Sequence, residues 1–163
     1  MDHPARDARC RASPAPASDE AAPASQRTGP GPRRSVIYLD SSVALAHLLA
    51  EDRVPPQRLW GEPLTSSRLL EYEVWTRIHG RRLAGSHGES VRALIGRVAL
   101  VELAPPVLSR ALEPFARPVR TLDALHLASM EFLRTQGQTV ELATYDARLA
   151  QAARDLKVPL YKL

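Results

Sequence analysis

Four acidic residues, Asp40, Glu73, Asp123 and Asp146, stand in four separate stretches of this chain: LDSSVALAHLL, SSRLLEYEVWTRI, RTLDALHLASM and ATYDARLAQAA. If the fold gathers them, the sequence interposes no Lys or Arg to neutralise them, and clustered carboxylates repel and raise at least one pKa unless a cation joins them. Oxygen-only ligands select a hard divalent ion, and Mg²⁺ or Mn²⁺ fits, since Mg²⁺ takes few carboxylates and readily binds phosphate oxygens. The chemistry that follows is phosphoryl transfer or phosphodiester hydrolysis, in which an ion lowers the pKa of a bound water and stabilises the leaving oxygen. Taken singly, each acid has an ordinary explanation. An Asp after a strand is commonly a turn or helix-capping residue, an Asp in a first helical turn complements the helix dipole, and a Glu on an amphipathic helix commonly faces solvent. Convergence on one place is what would turn them into a site.

The elements that must position these acids alternate along the chain. VIYLD is a short apolar run ending in Asp40, and SSVALAHLLAE after it has the pattern of a capped helix. PLTS (63–66) predicts a second strand feeding a helix from Ser67 to about Arg82. A further helix is expected over Gly88 to Val98, a strand in ALVELA (99–104), and a helix in PPVLSRALEPFA, where proline suits the first turn. Another helix begins near Thr121, TVELATYD (139–146) reads as a strand, DARLAQAARDL as a helix, and VPLYKL as a last short strand. GSHG, around His87, has the composition of a loop. Repeated strand and helix alternation predicts an α/β fold, a small parallel sheet of about four to five strands with helices on both faces.

In such sheets ligands bind beyond the carboxyl ends of the strands. Asp40 closes the first strand and Asp146 follows VELAT, so both emerge at that edge. Glu73 shares a helix side with Leu70 and Val74, whereas Glu71 lies about 200° from it and is expected in solvent. Asp123 falls in the first turn after Thr121, near Leu122, Leu127 and Met130. Arg120 and Arg148 flank the site acids and are candidates for phosphate contacts, for which the guanidinium fork is suited. His126, three residues after Asp123, is read as a packed helix histidine more readily than as a substrate contact. No histidine spacing suggests zinc.

Composition bounds the rest. The first 34 residues carry six of the 14 prolines, and six Arg against Asp2, Asp7, Asp19 and Glu20, without helical or strand periodicity. Such a segment buries too little surface to offset its conformational entropy, so 1–34 is expected to be a disordered Pro/Ala/Arg-rich extension, with the folded domain over 35–163. The domain holds 16 basic and 14 acidic side chains, an excess of only 2 that permits nucleic-acid binding without arguing for it. The single cysteine, Cys10, excludes an intrachain disulfide. Without a membrane-length apolar run or a secretory h-region, a cytoplasmic protein is expected.

The four quoted stretches, in their order and spacing over residues 36–163, resemble the PIN domain family, with the nearest likeness to its VapC-type toxins; RTLDALHLA is the most specific of them. The resemblance implies an Mg²⁺- or Mn²⁺-dependent endoribonuclease, the toxin of a type II toxin-antitoxin system, cleaving RNA with an activated water. It implies Asp40 and Asp123 as principal metal ligands, with Glu73 and Asp146 completing the site directly or through water. Ser41 or Ser42, and Thr144, would supply hydroxyls. It further implies a homodimer held in check by a cognate VapB-type antitoxin. The sequence keeps all four acids, and its main departure from the family is the extension before Ser35. Two other readings remain. A phosphatase with Asp40 as nucleophile would want a DxD arrangement where this chain reads DSS, and a non-catalytic PIN-like scaffold binding RNA or protein has no need of intact acids. Nucleotide-cofactor enzymes fit more poorly still, because no G-x-G-x-x-G follows VIYLD and no G-x-x-x-x-G-K-[ST] occurs.

Overall fold

Alternation within the first strand decides what lies on each side of the sheet. In the computed structural model, which describes residues 35–163, β1 spans Ser35–Leu39. Its Ile37 and Leu39 join an apolar cluster with Val43, Leu70, Val74, Ile78, Val91 and Leu94, while Tyr38, pointing the opposite way, joins Leu127, Met130, Leu133, Val140, Leu142 and Leu149. The expectation of a disordered segment over 1–34 lies outside the described residues.

After β1 come α1 (Ser41–Leu48), a 3₁₀ turn (Gln57–Gly61), β2 (Leu64–Ser67), α2 (Leu69–Gly80), α3 (Ala84–Ile95) and β3 (Ala99–Val101). The chain continues through α4 (Pro105–Leu112), α5 (Thr121–Thr135), β4 (Thr139–Ala143) and α6 (Ala147–Asp155). All pairings are parallel and the strand order is β3-β2-β1-β4. Helices α1 to α3 supply the first core cluster, α5 and α6 the second, so helices cover both faces of a four-stranded sheet as the alternation predicts. β1 is central and the order reverses beside it: the chain moves to β2 on one side and returns as β4 on the other. Ligands gather at the carboxyl edge of such a switch point. Asp40 N–H bonds the Ala143 carbonyl at 3.0 Å, pinning the ends of β1 and β4 together there.

Three expected elements differ. GSHG is helical: α3 begins at Ala84, and buried Gly88 packs beside Trp75, whose ring would stand at an ordinary contact distance, 3.6 Å, from a Cβ at that position. The strand expected over 99–104 stops at Val101, and the chain reaches Pro105, the first residue of α4, through an extended Ala104, the conformation a following proline favours. VPLYKL forms only an isolated parallel bridge, Leu160 to Leu142, with Tyr161 N–H bonded to the Leu142 carbonyl.

Four helices close in the same way. Ala50 (φ 48°), Arg82 (φ 57°), Lys157 (φ 56°) and Gly137 (φ 82°) adopt the left-handed conformation just beyond α1, α2, α6 and α5. The next N–H returns in each case to a carbonyl inside the helix: Glu51 to Ala46, Leu83 to Ile78, Val158 to Ala153 and Gln138 to Leu133. Only the turn after α5 uses the residue with no Cβ penalty there. Lys157→Gly, at an exposed position, is expected to stabilise the fold by about 1 kcal/mol, read as a melting temperature a few degrees higher; an unchanged or lower value would contradict the strain.

Candidate active site

β1 delivers Asp40 to the carboxyl edge and α1 fixes its carboxylate. Asp40 caps α1, and its Oδ2 accepts from Ser42 N–H (3.2 Å), from the Ser42 hydroxyl and from the Thr144 hydroxyl (2.8 Å). The side chain is only 5% exposed. All three bonds fall on one oxygen, so Oδ1 carries no protein hydrogen bond among the described residues and is held in a fixed direction. The hydroxyls belong to a short network: Ser42 Oγ also accepts the Tyr145 N–H (2.9 Å), and Thr144 Oγ1 accepts the Asp146 N–H (2.9 Å). The end of β4 is thus tied to Asp40 through Ser42 and Thr144, two of the three hydroxyl residues expected at the site. The third, Ser41, lines a concavity with Glu73 and Leu122.

Glu73 comes from α2, one turn from buried Leu70 and beside buried Val74, with its carboxylate half-buried. Its Oε2 accepts from Nε2 of His126 at 3.0 Å. The other face of that imidazole meets the sheet: Nδ1 lies 2.9 Å from the Tyr38 hydroxyl and 3.3 Å from Ser67 Oγ, and Ser67 N–H donates to the Tyr38 oxygen at 3.0 Å. Burial alone would lower the pKa of His126, but Tyr38 and the Glu73 carboxylate outweigh it and push the value up to about 10. His126 is 1% exposed, packed as its helix position suggests, and it also orients Glu73. Its spacing from Asp123 gives no hint of that second role, because its partners Tyr38 and Glu73 lie far off in sequence.

Asp123 stands in the first turn of α5, partly buried, with the Arg120 backbone N–H near its carboxylate at the helix start. Its pKa is raised, first by burial and then by the neighbouring Asp146 carboxylate, against the opposing effects of the Arg120 N–H, His126 and Arg148. Asp146 caps α6, with Oδ1 accepting from Arg148 N–H (2.7 Å) and Leu149 N–H (3.2 Å). Arg120 therefore acts here through its backbone, whereas the charge of Arg148 reaches Asp123. The ligand atoms of Asp40, Glu73 and His126 lie within 4.8 Å of one another, and Asp123 and Asp146 adjoin that group without belonging to it.

The donor set suits a divalent cation. Asp40 and Glu73 each commit one carboxylate oxygen to hydrogen bonds within the protein and leave the other without a partner among the described residues, oriented and unpaired. Asp123, whose ionisation its surroundings oppose, gains from any positive charge placed beside it. Among the described residues no helix is long and apolar enough to cross a membrane.

The chain is 27% identical over 128 residues to ribonuclease VapC47 of Mycobacterium tuberculosis (strain CDC 1551 / Oshkosh), an overlap covering 74% of this chain and 92% of that protein. The PIN domain family model matches residues 37–155, from the middle of the central strand through the last helix and across all four acids. With that span, and with an all-parallel sheet that carries the acids at its carboxyl edge, the chain belongs to the PIN domain family.

Proposed function

We propose that this protein is a metal-dependent endoribonuclease, the toxin of a type II toxin-antitoxin pair, which hydrolyses RNA phosphodiester bonds at the Asp40, Glu73, Asp123 and Asp146 edge. The observation that carries the reading is the fixed, half-satisfied state of Asp40 and Glu73 beside an Asp123 whose ionisation is opposed, because such carboxylates become compatible when they share a cation. Membership of the PIN family and likeness to a protein named as a ribonuclease support the same activity.

Asp40, Glu73 and Asp123 would hold Mg²⁺ or Mn²⁺, with Asp146 contributing directly or through water. Such an ion supplies charge neutralisation at the scissile phosphate and a water of lowered pKa. The protein's own part is positioning. Ser42 and Thr144 lock the Asp40 carboxylate, His126 locks that of Glu73, and the first turn of α5 presents Asp123 with favourable helix-dipole alignment. Arg148 lies close enough to Asp123 to draw a phosphate toward the edge, and Arg120 stands at the adjoining helix start. The partners of this reading are RNA, a VapB-type antitoxin and a second copy of the chain, in the cytoplasm.

The test is incubation of the purified full chain with labelled total tRNA and rRNA in Mg²⁺, in Mn²⁺ and in EDTA. Discrete fragments in either metal and none in EDTA are the expected result. Intact RNA in all three, from folded protein free of antitoxin, would leave the scaffold reading standing instead.

A further inference from the structure

Beyond the acids, the surface of α2 continues as a concave track. Glu73, Arg77 and Arg81 are four residues apart, so they share one helix face at steps of about 6 Å along the axis. Two adjoining hollows run along this face. One, of about 680 Å³, is lined by Ser41, Leu69, Tyr72, Glu73, Arg77 and Leu122 among others. The second, of about 700 Å³, is lined by Ser42, Arg53, Arg77, Arg81 and Tyr145 among others, and it shares Leu45 and Arg77 with the first.

Taking the ribonuclease reading as its basis, we infer that this track binds the substrate: a single RNA strand leaves the acidic edge along α2 with its phosphates on Arg77, Arg81 and Arg53 and a base against Tyr145. Arg53, Arg77 and Arg81 are all exposed, and among the described residues Arg53 and Arg77 form no ion pair. Arg81 makes only a long contact with Glu51, 3.5 Å between two exposed side chains, which a phosphate can replace at little cost. Arg53 lies over the Tyr145 ring at 5.7 Å, a pair that offers a charge for the phosphate and a flat face for a base. The track is also wired to the acids, since Tyr145 N–H donates to the same Ser42 hydroxyl that binds Asp40. At the opposite end Tyr72, 65% exposed, provides a second aromatic face. Glu51 and Asp52 on the rim set a sign requirement: the three arginines leave the hollow net positive by one charge, suited to a phosphate chain held at several points.

The experiment measures binding of a fluorescein-labelled single-stranded RNA twenty-mer to the full chain in EDTA, by anisotropy over a KCl series, with Mg²⁺-dependent cleavage by the same protein run alongside. R53A/R77A/R81A is expected to weaken binding at least about tenfold near 0.1 M KCl and to flatten the slope of log Kd against log salt by about 2, at roughly 0.7 per phosphate lost. Tyr145→Leu should weaken binding with the slope unchanged, the mark of lost stacking rather than lost charge. Arg154→Ala, at the far end of α6, should alter neither. An unchanged slope in the triple variant of a protein that still cleaves RNA would overturn the track and leave the ribonuclease intact, as would a groove that serves an acidic protein segment instead. A wild-type chain that neither binds nor cleaves would overturn both.

Discussion

Asp123→Asn is expected to reduce metal-dependent RNA cleavage by more than about 100-fold, beyond the 10–100-fold typical of losing an outer-shell partner of a metal ligand, while raising the melting temperature of the metal-free protein. The two effects have one source. Burial and the Asp146 carboxylate raise the Asp123 pKa above its ordinary 3.8. An acid with a raised folded pKa opposes folding once ionised: stability declines as pH rises from the unfolded value through the folded one, and the deficit persists at neutral pH. Asparagine keeps the shape and the hydrogen-bonding edge without the charge. A saturating divalent ion reverses the comparison, since an ion that binds only the folded state stabilises it by RT ln(1 + [ion]/Kd), which keeps growing with ion concentration above Kd. Thermal melts of both proteins at pH 7.5 in EDTA and in 5 mM Mg²⁺ (about the order expected to saturate such a site), beside cleavage assays, check this. Asp123→Asn that still cleaves, or that melts lower than wild type in EDTA, would remove Asp123 from the site. Thr144→Val, which takes one of three bonds from Asp40, should lose only about 10–100-fold in cleavage.

The largest loss of stability is expected at His126→Ala. The substitution leaves the Glu73 carboxylate and the Tyr38 hydroxyl without their partner and opens a void beneath α5, so a cost of about 3–5 kcal/mol follows from breaking one side of a buried charged pair. The effect depends on pH with a definite sign. The folded pKa of His126, about 10, lies above the ordinary 6.5, so its contribution is fully present below pH 6.5 and is lost as pH rises toward 10. Urea unfolding in EDTA from pH 6 to pH 10 should show wild type losing stability across that window and His126→Ala, or the milder His126→Gln, lacking the loss. Parallel pH curves for wild type and variant would mean that the imidazole carries no linked proton. Cleavage by His126→Gln measures how much the orientation of Glu73 matters separately from folding.

Much of this architecture is legible in local pattern. VIYLD followed by SSVALAHLL announces a strand, a capped helix and an acid at their junction, and the cap is present as Asp40 accepting from Ser42 N–H. The choice of Glu73 over Glu71 follows from helical spacing, and Glu71, expected in solvent, is instead half-buried and paired with Arg68. Where pattern fails, the controlling contacts are distant. Glycines 85 and 88 suggest a loop, yet α3 runs through both, because its Val91 and Leu94 pack into the core that Leu70, Val74 and Ile78 of the neighbouring helix build. Arg53, in a segment with no periodicity, acquires meaning only when Tyr145 comes beneath it. His126 meets Tyr38 across 88 residues and Glu73 across 53, separations that no window of sequence can register.

The pairing of the central strand with β4, Ser35 to Thr139 and Leu39 to Ala143, has a consequence for how the protein is made. Asp40 leaves the ribosome early, but Thr144, which orients it, and Asp146 emerge more than a hundred residues later, a delay of about 5–20 s at ordinary elongation rates. Until then the edge of β1 that β4 will occupy stays open and Asp40 lacks a partner that fixes it. On the ribonuclease reading, a chain that ends before β4 is therefore expected to leave RNA intact, and cleavage to require translation past Asp146.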